Sequence, residues 1–145
     1  DPRFYYYKNS MINRNLFDEN LVIDCEMNSG SSYEAMERYL EKNKKPPKAL
    51  FISSDATAAG ILKSIREHGF LVPGDCNIVT YNNTTFSESS TPPLDSIEVY
   101  LKESAKEATF ALERFWNAEK LPRKIVIPCS LVIRGSIKKQ ENNDR

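Results

Sequence analysis

His68 is the only histidine in the chain, so neither a His-based catalytic triad nor a His-pair metal site can be assembled from it alone. It falls in the last turn of an expected helix, where a partly charged imidazole interacts well with the helix dipole. Ser53-Ser54-Asp55 lacks the flanking glycines of a GxSxG nucleophile elbow. The five glycines are scattered, so no phosphate-cradling loop is formed. Cys25, Cys76 and Cys129 are far apart and make no CxxC or Cys/His cluster. That odd, dispersed set argues against both a disulfide framework and a zinc site. The cysteines are expected to be small buried hydrophobes in a reducing cytoplasm. Carboxylates are numerous, but with 28% charged residues a pair of them reads as a solvated helix face. No basis for acid–base catalysis emerges, so an enzyme is not expected and no metal or cofactor is called for.

What remains is hydrogen-bonding chemistry at the ends of apolar runs. Three short polar segments follow such runs: Glu26 to Ser29, Ser54-Asp55 and Asn82-Asn83. Their side chains suit a hydroxylated ligand, although helix capping alone would also explain an Asp at position 55. The run Phe4-Tyr5-Tyr6-Tyr7 could stack on a sugar ring. On a helix these four point around most of the circumference, so one or two of them are expected in the core.

The elements that position these residues can be read from periodicity. Residues 2–14 are expected to form a helix, with Pro2 at its start and Asn15 ending it in the left-handed conformation. Leu21 to Cys25 reads as a buried strand. Ser31 and Glu34 offer a capping box for a helix to about residue 43, with Tyr33, Met36 and Leu40 on one face. Ala49 to Ser53 is a second strand. Asp55 is the expected N-cap of a helix over about 56–68, with Ala58, Ile61, Leu62 and Ile65 facing inward and Gly69 as the stop. A turn at Pro73-Gly74-Asp75 leads to a third strand, Asn77 to Tyr81. Residues 82–93 read as a polar loop. A helix over about 101–118 carries Ala105, Ala108, Leu112 and Phe115 as a core-facing stripe. Ile125 to Ile127 and Leu131 to Ile133 read as two more strands, and the tail from Lys138 as disordered. Helices alternating with near-continuously apolar strands imply an α/β fold, a parallel sheet with helices on both faces. Ligands of such sheets bind outside the carboxyl ends of the strands, where the three polar segments fall.

The bulk numbers exclude some classes. Twenty Lys plus Arg against twenty Asp plus Glu give a formal net charge of zero. A nucleic-acid binder needs a basic excess or stripe to neutralise phosphates, so direct binding of nucleic acid by these residues is not expected. No apolar run approaches the ~20 residues of a membrane span, and no signal peptide opens the chain. It begins at Asp1 without a methionine and runs straight into an amphipathic segment, which suggests a fragment.

Several motifs in register resemble the regulatory half of LacI/GalR-type transcriptional repressors. They are Phe51 to Gly60, Gly69 to Asp75, Ile78 to Asn83, Thr91 to Leu94, Ile127-Pro128 and Leu131 to Ser136. The resemblance implies an incomplete periplasmic-binding-protein-like fold of type I, with two lobes closing on a small ligand, often a sugar. It places 1–91 in the distal lobe, 92–128 in the proximal lobe and 129–137 in a return strand, with 138–145 as the tail. It implies that a helix-turn-helix head, through which alone DNA would be bound, and the first half of the proximal lobe lie outside this sequence. The helix over 101–118 would then lack part of its sheet. The family's effector-gripping arginine falls on Arg3. Its Asn-Asp pair becomes Ser54-Asp55, its sugar-binding Asp becomes Asn82, and its stacking aromatic falls near Met27. The resemblance further implies a cytoplasmic homodimer, joined through the helix carrying Ala58-Ala59-Gly60, that senses a small-molecule effector, expected to be a carbohydrate. A sugar-binding component of a transporter is the alternative on the same fold.

Overall fold

The computed structural model describes residues 1–122 and 124–138. Among the described residues, besides a 3-10 turn at Glu19–Leu21, the α-helices and strands follow in the order α1 (Pro2–Ile12), α2 (Ser29–Asn43), β1 (Ala49–Phe51), α3 (Asp55–Glu67), β2 (Asn77–Asn82), α4 (Thr85–Ser89), β3 (Asp95–Glu98), α5 (Leu101–Trp116) and β4 (Ser130–Val132). The sheet order is β1-β2-β3-β4. The first three strands run parallel, in registers such as Phe51 with Val79 and Asn82 with Glu98, and β4 closes the sheet antiparallel to β3. The expected parallel α/β sheet is therefore mixed at one edge. No helix of the described residues is long and apolar enough to cross a membrane.

Alternation along the strands divides the sheet faces. Ile78 and Thr80 are fully buried on the face that α3 covers. Their neighbours Phe51 and Tyr81 face α1, where Tyr7 stacks on Phe51 at 5.6 Å and Arg3 lies over the Tyr81 ring at 5.3 Å. The core is on the α3 side. Ala58, Ile61, Leu62 and Ile65 of α3 pack with Met36 and Leu40 of α2 and with Ile52, Cys76, Ile78 and Leu94. The inward stripe expected of α3 is thus realised. Close approach of α2 requires Gly60, since a Cβ there would lie 2.0 Å from the carbonyl oxygen of Ser29. Gly69 ends the helix at φ 77°, which suits a residue without a side chain.

Several expectations change. Residues 22–25 are extended and put Ile23 against the core, yet they form no ladder and are not a strand. Their apolar character reflects partial burial, not pairing. The cap of α2 is Asn28, which accepts from the Ser31 N–H at 2.8 Å, while the Ser31 hydroxyl turns back to accept from Glu26 N. The cap of α3 is Ser54, and Asp55 is already helical. The polar stretch 82–93 contains the short helix α4.

Strand β3 escaped notice because it reads Asp-Ser-Ile-Glu, with polar residues where a buried strand should be apolar. Asp95 and Ser96 are nevertheless fully buried. The Asp95 carboxylate accepts from the N–H groups of Arg134, Ser136 and Ile137 at 2.9, 2.7 and 2.9 Å. The Ser136 hydroxyl lies 2.8 Å from the same carboxylate and 2.6 Å from the carbonyl of Ile78. Burial pushes the Asp95 carboxyl up, but these donors outweigh it and hold it below the ordinary value. The carboxylate thereby does for the chain after β4 what a neighbouring strand would do.

Residues 125–127 are not a strand, and the predicted 131–133 strand is β4 at Ser130–Val132. The stripe on α5 is bare: no residue of that helix is buried, and Leu112, Phe115 and Trp116 are 54, 68 and 76% exposed. Neither is any residue of α1 buried. Of the cysteines, only Cys76 behaves as expected, its burial pushing the thiol up to about 12. Cys25 is half-buried and Cys129 exposed. The tail expected from Lys138 falls, beyond that residue, outside the described residues.

Candidate functional site

The carboxyl ends of β1 and β2 open onto a groove of about 600 Å³. Two helix N-termini border it. Asn28 and Ser29 come from the start of α2, and Ser54, Asp55 and Ala56 from the start of α3. Met27, Asn82, Thr84 and Phe86 complete most of the lining. Each short polar segment after an apolar run therefore contributes, because parallel strands deliver their following residues to one end of the sheet. Four of the five expected site residues, Met27, Ser54, Asp55 and Asn82, line this groove.

Arg3 approaches the same strand ends from the α1 face. Its Nη1 donates to the carbonyl of Ser53 at 2.5 Å, one residue from Ser54, and its guanidinium covers Tyr81, one residue from Asn82. Its Nε and Nη2 donate to the Asp1 carboxylate. Asp1 in turn caps α1 by accepting from the Arg3 N–H at 2.7 Å. Arg3 itself is not among the residues that line the groove; of its five N–H donors, two are left over by these bonds.

Asp55 differs from the others. It is 2% exposed, and its Oδ2 accepts from both the N–H and the hydroxyl of Thr84 at 2.7 Å. Burial raises its carboxyl, but the Thr84 N–H and hydroxyl bonded to it, with the Ser87 and Thr80 hydroxyls nearby, bring it below the ordinary value. Its carboxylate ties the start of α3 to the start of α4. Its other oxygen, Oδ1, is buried without a hydrogen-bond partner.

Asn82 sits at φ 103° and Asn83 at φ 50°, both in the left-handed region that Asn tolerates better than most residues. Asn83 is turned away from the groove toward β3 and Arg134. Its amide donates to Glu98 Oε2 at 2.6 Å and accepts from Arg134 Nη2 at 2.7 Å. Thr84, Phe86, Glu98 and Arg134 are residues the sequence reading did not assign to the site. Thr84 and Phe86 lay inside a stretch read as loop, and Glu98 in a strand too polar to be noticed. Arg134 had been noted only as part of a motif.

The groove offers neutral hydroxyl and amide groups beside an apolar wall of Met27, Ala59 and Phe86. That combination can hydrogen-bond a polar ligand and cover an apolar face of it. Among the described residues no group of three or more His, Cys, Asp or Glu is placed to hold a metal ion.

Residues 1–137 match the periplasmic binding protein-like domain family. The chain is 30% identical over 139 residues to the HTH-type transcriptional regulator GalR of Streptococcus thermophilus, covering 95% of this chain and 42% of that protein. Among solved structures, the transcriptional regulator CelR in complex with cellobiose superposes with a TM-score of 0.79 at 26% identity, over 90% of this chain and 40% of that one. The transcription regulator CcpA of Lactococcus lactis superposes at 0.80 with 25% identity, over 91% and 48%. The chain spans about two fifths of the length of the curated relative GalR.

Proposed function

We propose, on the premise that this chain belongs to the periplasmic binding protein-like domain family and is related to the effector-binding part of LacI/GalR-type regulators, that it senses a sugar for a transcriptional regulator. The observation that carries this reading is the convergence of Ser54, Asn82 and Met27 in one groove at the strand ends, with Arg3 bound to Ser53 and Tyr81, the residues preceding Ser54 and Asn82. In this proposal Ser54 and Asn82 hydrogen-bond ligand hydroxyls, Arg3 presents its two remaining donors, and Met27 covers an apolar face of the ring. Asp55 acts at one remove, by fixing Thr84 and the start of α3. The carboxylate that would bind two adjacent hydroxyls is replaced by the Asn82 amide. Sugar binding here then rests on neutral hydrogen bonds, which are weaker than charge-assisted ones.

The likeness to LacI/GalR-type regulators supports the rest of the proposal. The regulator works in the cytoplasm as a homodimer and meets DNA through a helix-turn-helix segment that is not part of this chain. Ala58 and Gly60 are committed to packing within the chain and Ala59 lines the groove, so a dimer contact on α3 would use other exposed residues of that helix. Pairing of β3 with β2 favours a lobe that runs to about Glu98 and resumes at β4, in place of a division at 91. Ligand would bias the relation between lobes and so the DNA-binding heads. Coupling of this kind is typically ~1–3 kcal/mol.

Calorimetric titration of the full-length protein with D-glucose, D-galactose, maltose, melibiose and cellobiose tests the proposal. Saturable heat is expected for at least one sugar, reduced about tenfold in affinity by Asn82→Ala, the loss of roughly 1.4 kcal/mol of hydrogen bonding. A panel that gives neither heat nor thermal shift overturns it.

A further inference from the structure

We propose that Asn83 is a positioning residue that locks the groove end of β2 to both the exit and the return of the segment between β3 and β4. It does so through a chain of hydrogen bonds running Arg134–Asn83–Glu98–Tyr100–Ser130, in which Glu98 holds the Tyr100 backbone N–H and the Tyr100 hydroxyl meets Ser130. Its relevance to sensing rests on the function proposed above; its existence as a mechanical junction does not.

The chain leaves the sheet at Tyr100, carries helix α5, no residue of which is buried, and re-enters at Ser130. Since α5 buries nothing, the polar links at Tyr100 and Ser130 largely set how this segment stands against the sheet. Glu98 has two carboxylate oxygens and both are used. Oε2 accepts from the Asn83 amide at 2.6 Å, and Oε1 accepts from the Tyr100 N–H at 2.7 Å. Tyr100 is held at φ 49°, and its hydroxyl lies 2.8 Å from the Ser130 hydroxyl, so exit and return are joined directly. On the other side, Arg134 bridges the Asn83 amide oxygen at 2.7 Å and the Leu94 carbonyl at 2.9 Å. The Asn83 N–H donates to the Ser96 hydroxyl at 3.0 Å.

Asn82, Asn83 and Tyr100 all have positive φ. Such conformations persist only where the surroundings over-determine them. Here the determinants are shared: Glu98 holds Asn83 and Tyr100 at once, and Asn83 is covalently next to the groove-lining Asn82. A displacement of Asn82 therefore pulls on Glu98, and through it on Tyr100 and Ser130.

The test uses two near-isosteric variants of the full-length protein, Glu98→Gln and Asn83→Asp. The two donors meet different oxygens of Glu98, and Gln replaces one of those oxygens with an NH2, so one of the two bonds is lost. An Asp at position 83 still accepts from Arg134 but has no donor for Glu98. Hydrogen exchange is followed in peptides covering 82–84, 99–101 and 129–131, with 61–65 as the core reference. Each variant is expected to speed exchange in all three regions together by about fivefold, the factor set by one hydrogen bond of ordinary net strength. The 61–65 peptide should not change. Faster exchange confined to the region of the substituted residue overturns the junction. Cellobiose is then added as the probe. In the unaltered protein it is expected to slow exchange at 82–84 and at 129–131, and in Glu98→Gln at 82–84 only. Protection at 129–131 that survives in Glu98→Gln also overturns the junction. Absence of protection anywhere in the unaltered protein counts against cellobiose as the sensed sugar, while the ligand-free comparison still decides the junction.

Discussion

Helices α3 and α5 carry comparable apolar stripes and meet opposite fates. On α3, Ala58, Ile61, Leu62 and Ile65 are at most 5% exposed, pressed between α2 and β2. On α5, Leu112 and Phe115 stay more than half exposed. An amphipathic pattern states that one face of a helix is suited to burial. It does not name the surface that covers it. For α3 that surface is in this chain, delivered by the parallel crossover from β1 to β2. For α5 it is not supplied by the described residues.

The contrast can be broken most severely by truncating one stripe at a time. Ile65→Ala should lower stability by about 3–4 kcal/mol through lost burial and a residual cavity, whereas Phe115→Ala should change it by less than about 0.5 kcal/mol. Urea midpoints of the two variants measure this. Equal losses would mean that α5 is covered in solution as thoroughly as α3.

Next in size is the close approach that α3 makes and α5 does not. Gly60→Ala would put a methyl 2.0 Å from the Ser29 carbonyl and 2.3 Å from the Ser32 hydroxyl. The backbone of α2 must move to admit it, so a loss of about 2–3 kcal/mol is expected from the overpacking. A thermal melt as stable as the parent would show that the α2–α3 contact is looser than described.

Helix α3 and the sheet also hold buried carboxylates, Asp55 and Asp95, and α5 holds none. Asp95→Asn should cost about 2 kcal/mol at neutral pH, since a charged acceptor of several donors becomes a neutral amide. Asp55 and Asp95 both have carboxyls lowered by folding. A lowered folded value means that the unfolded chain takes up protons first. Their stabilisation is thus full above the unfolded carboxylate value of ~3.9 and is lost as pH falls through the lower folded values. Urea midpoints measured between neutral pH and pH 3 should show the difference between the parent and Asp95→Asn shrinking in acid. A constant difference would contradict the assignment.

The smallest effect sharpens the comparison from the α5 side. Arg114 and Glu119 pair at 3.1 Å, each about half exposed. Solvent screening leaves such a pair worth ~0.5 kcal/mol or less, so Arg114→Ala should barely move the melting temperature.

Some of this was legible without coordinates. The stripe on α3, the stop at Gly69 and the left-handed Asn15 each rest on short-range rules that chemistry of a few neighbouring residues enforces. The segments bearing Met27, Ser54 and Asn82 could be marked because polar residues following apolar runs fall at strand ends. Strand β3 could not be read this way. Its Asp95 is buried because Ser136 and the backbone of 134–137, about forty residues later, satisfy it, while the Ser96 hydroxyl accepts from the Asn83 N–H. The cap of α3 was misplaced by one residue because Ser54 and Asp55 are both good caps, and only Thr84 draws Asp55 elsewhere.

The sequence by itself determined the alternation of helix and strand, the buried face of α3 and the polar character of the strand ends, since these depend on periodicity and local backbone preference. Tertiary structure alone decided that a polar tetrapeptide becomes an inner strand, that Asp55 serves the fold more than the groove, and that the α5 stripe stays bare. Each of those outcomes turns on a partner distant in sequence. Burial of a charge or of an apolar face becomes favourable only when the group that satisfies it is brought alongside.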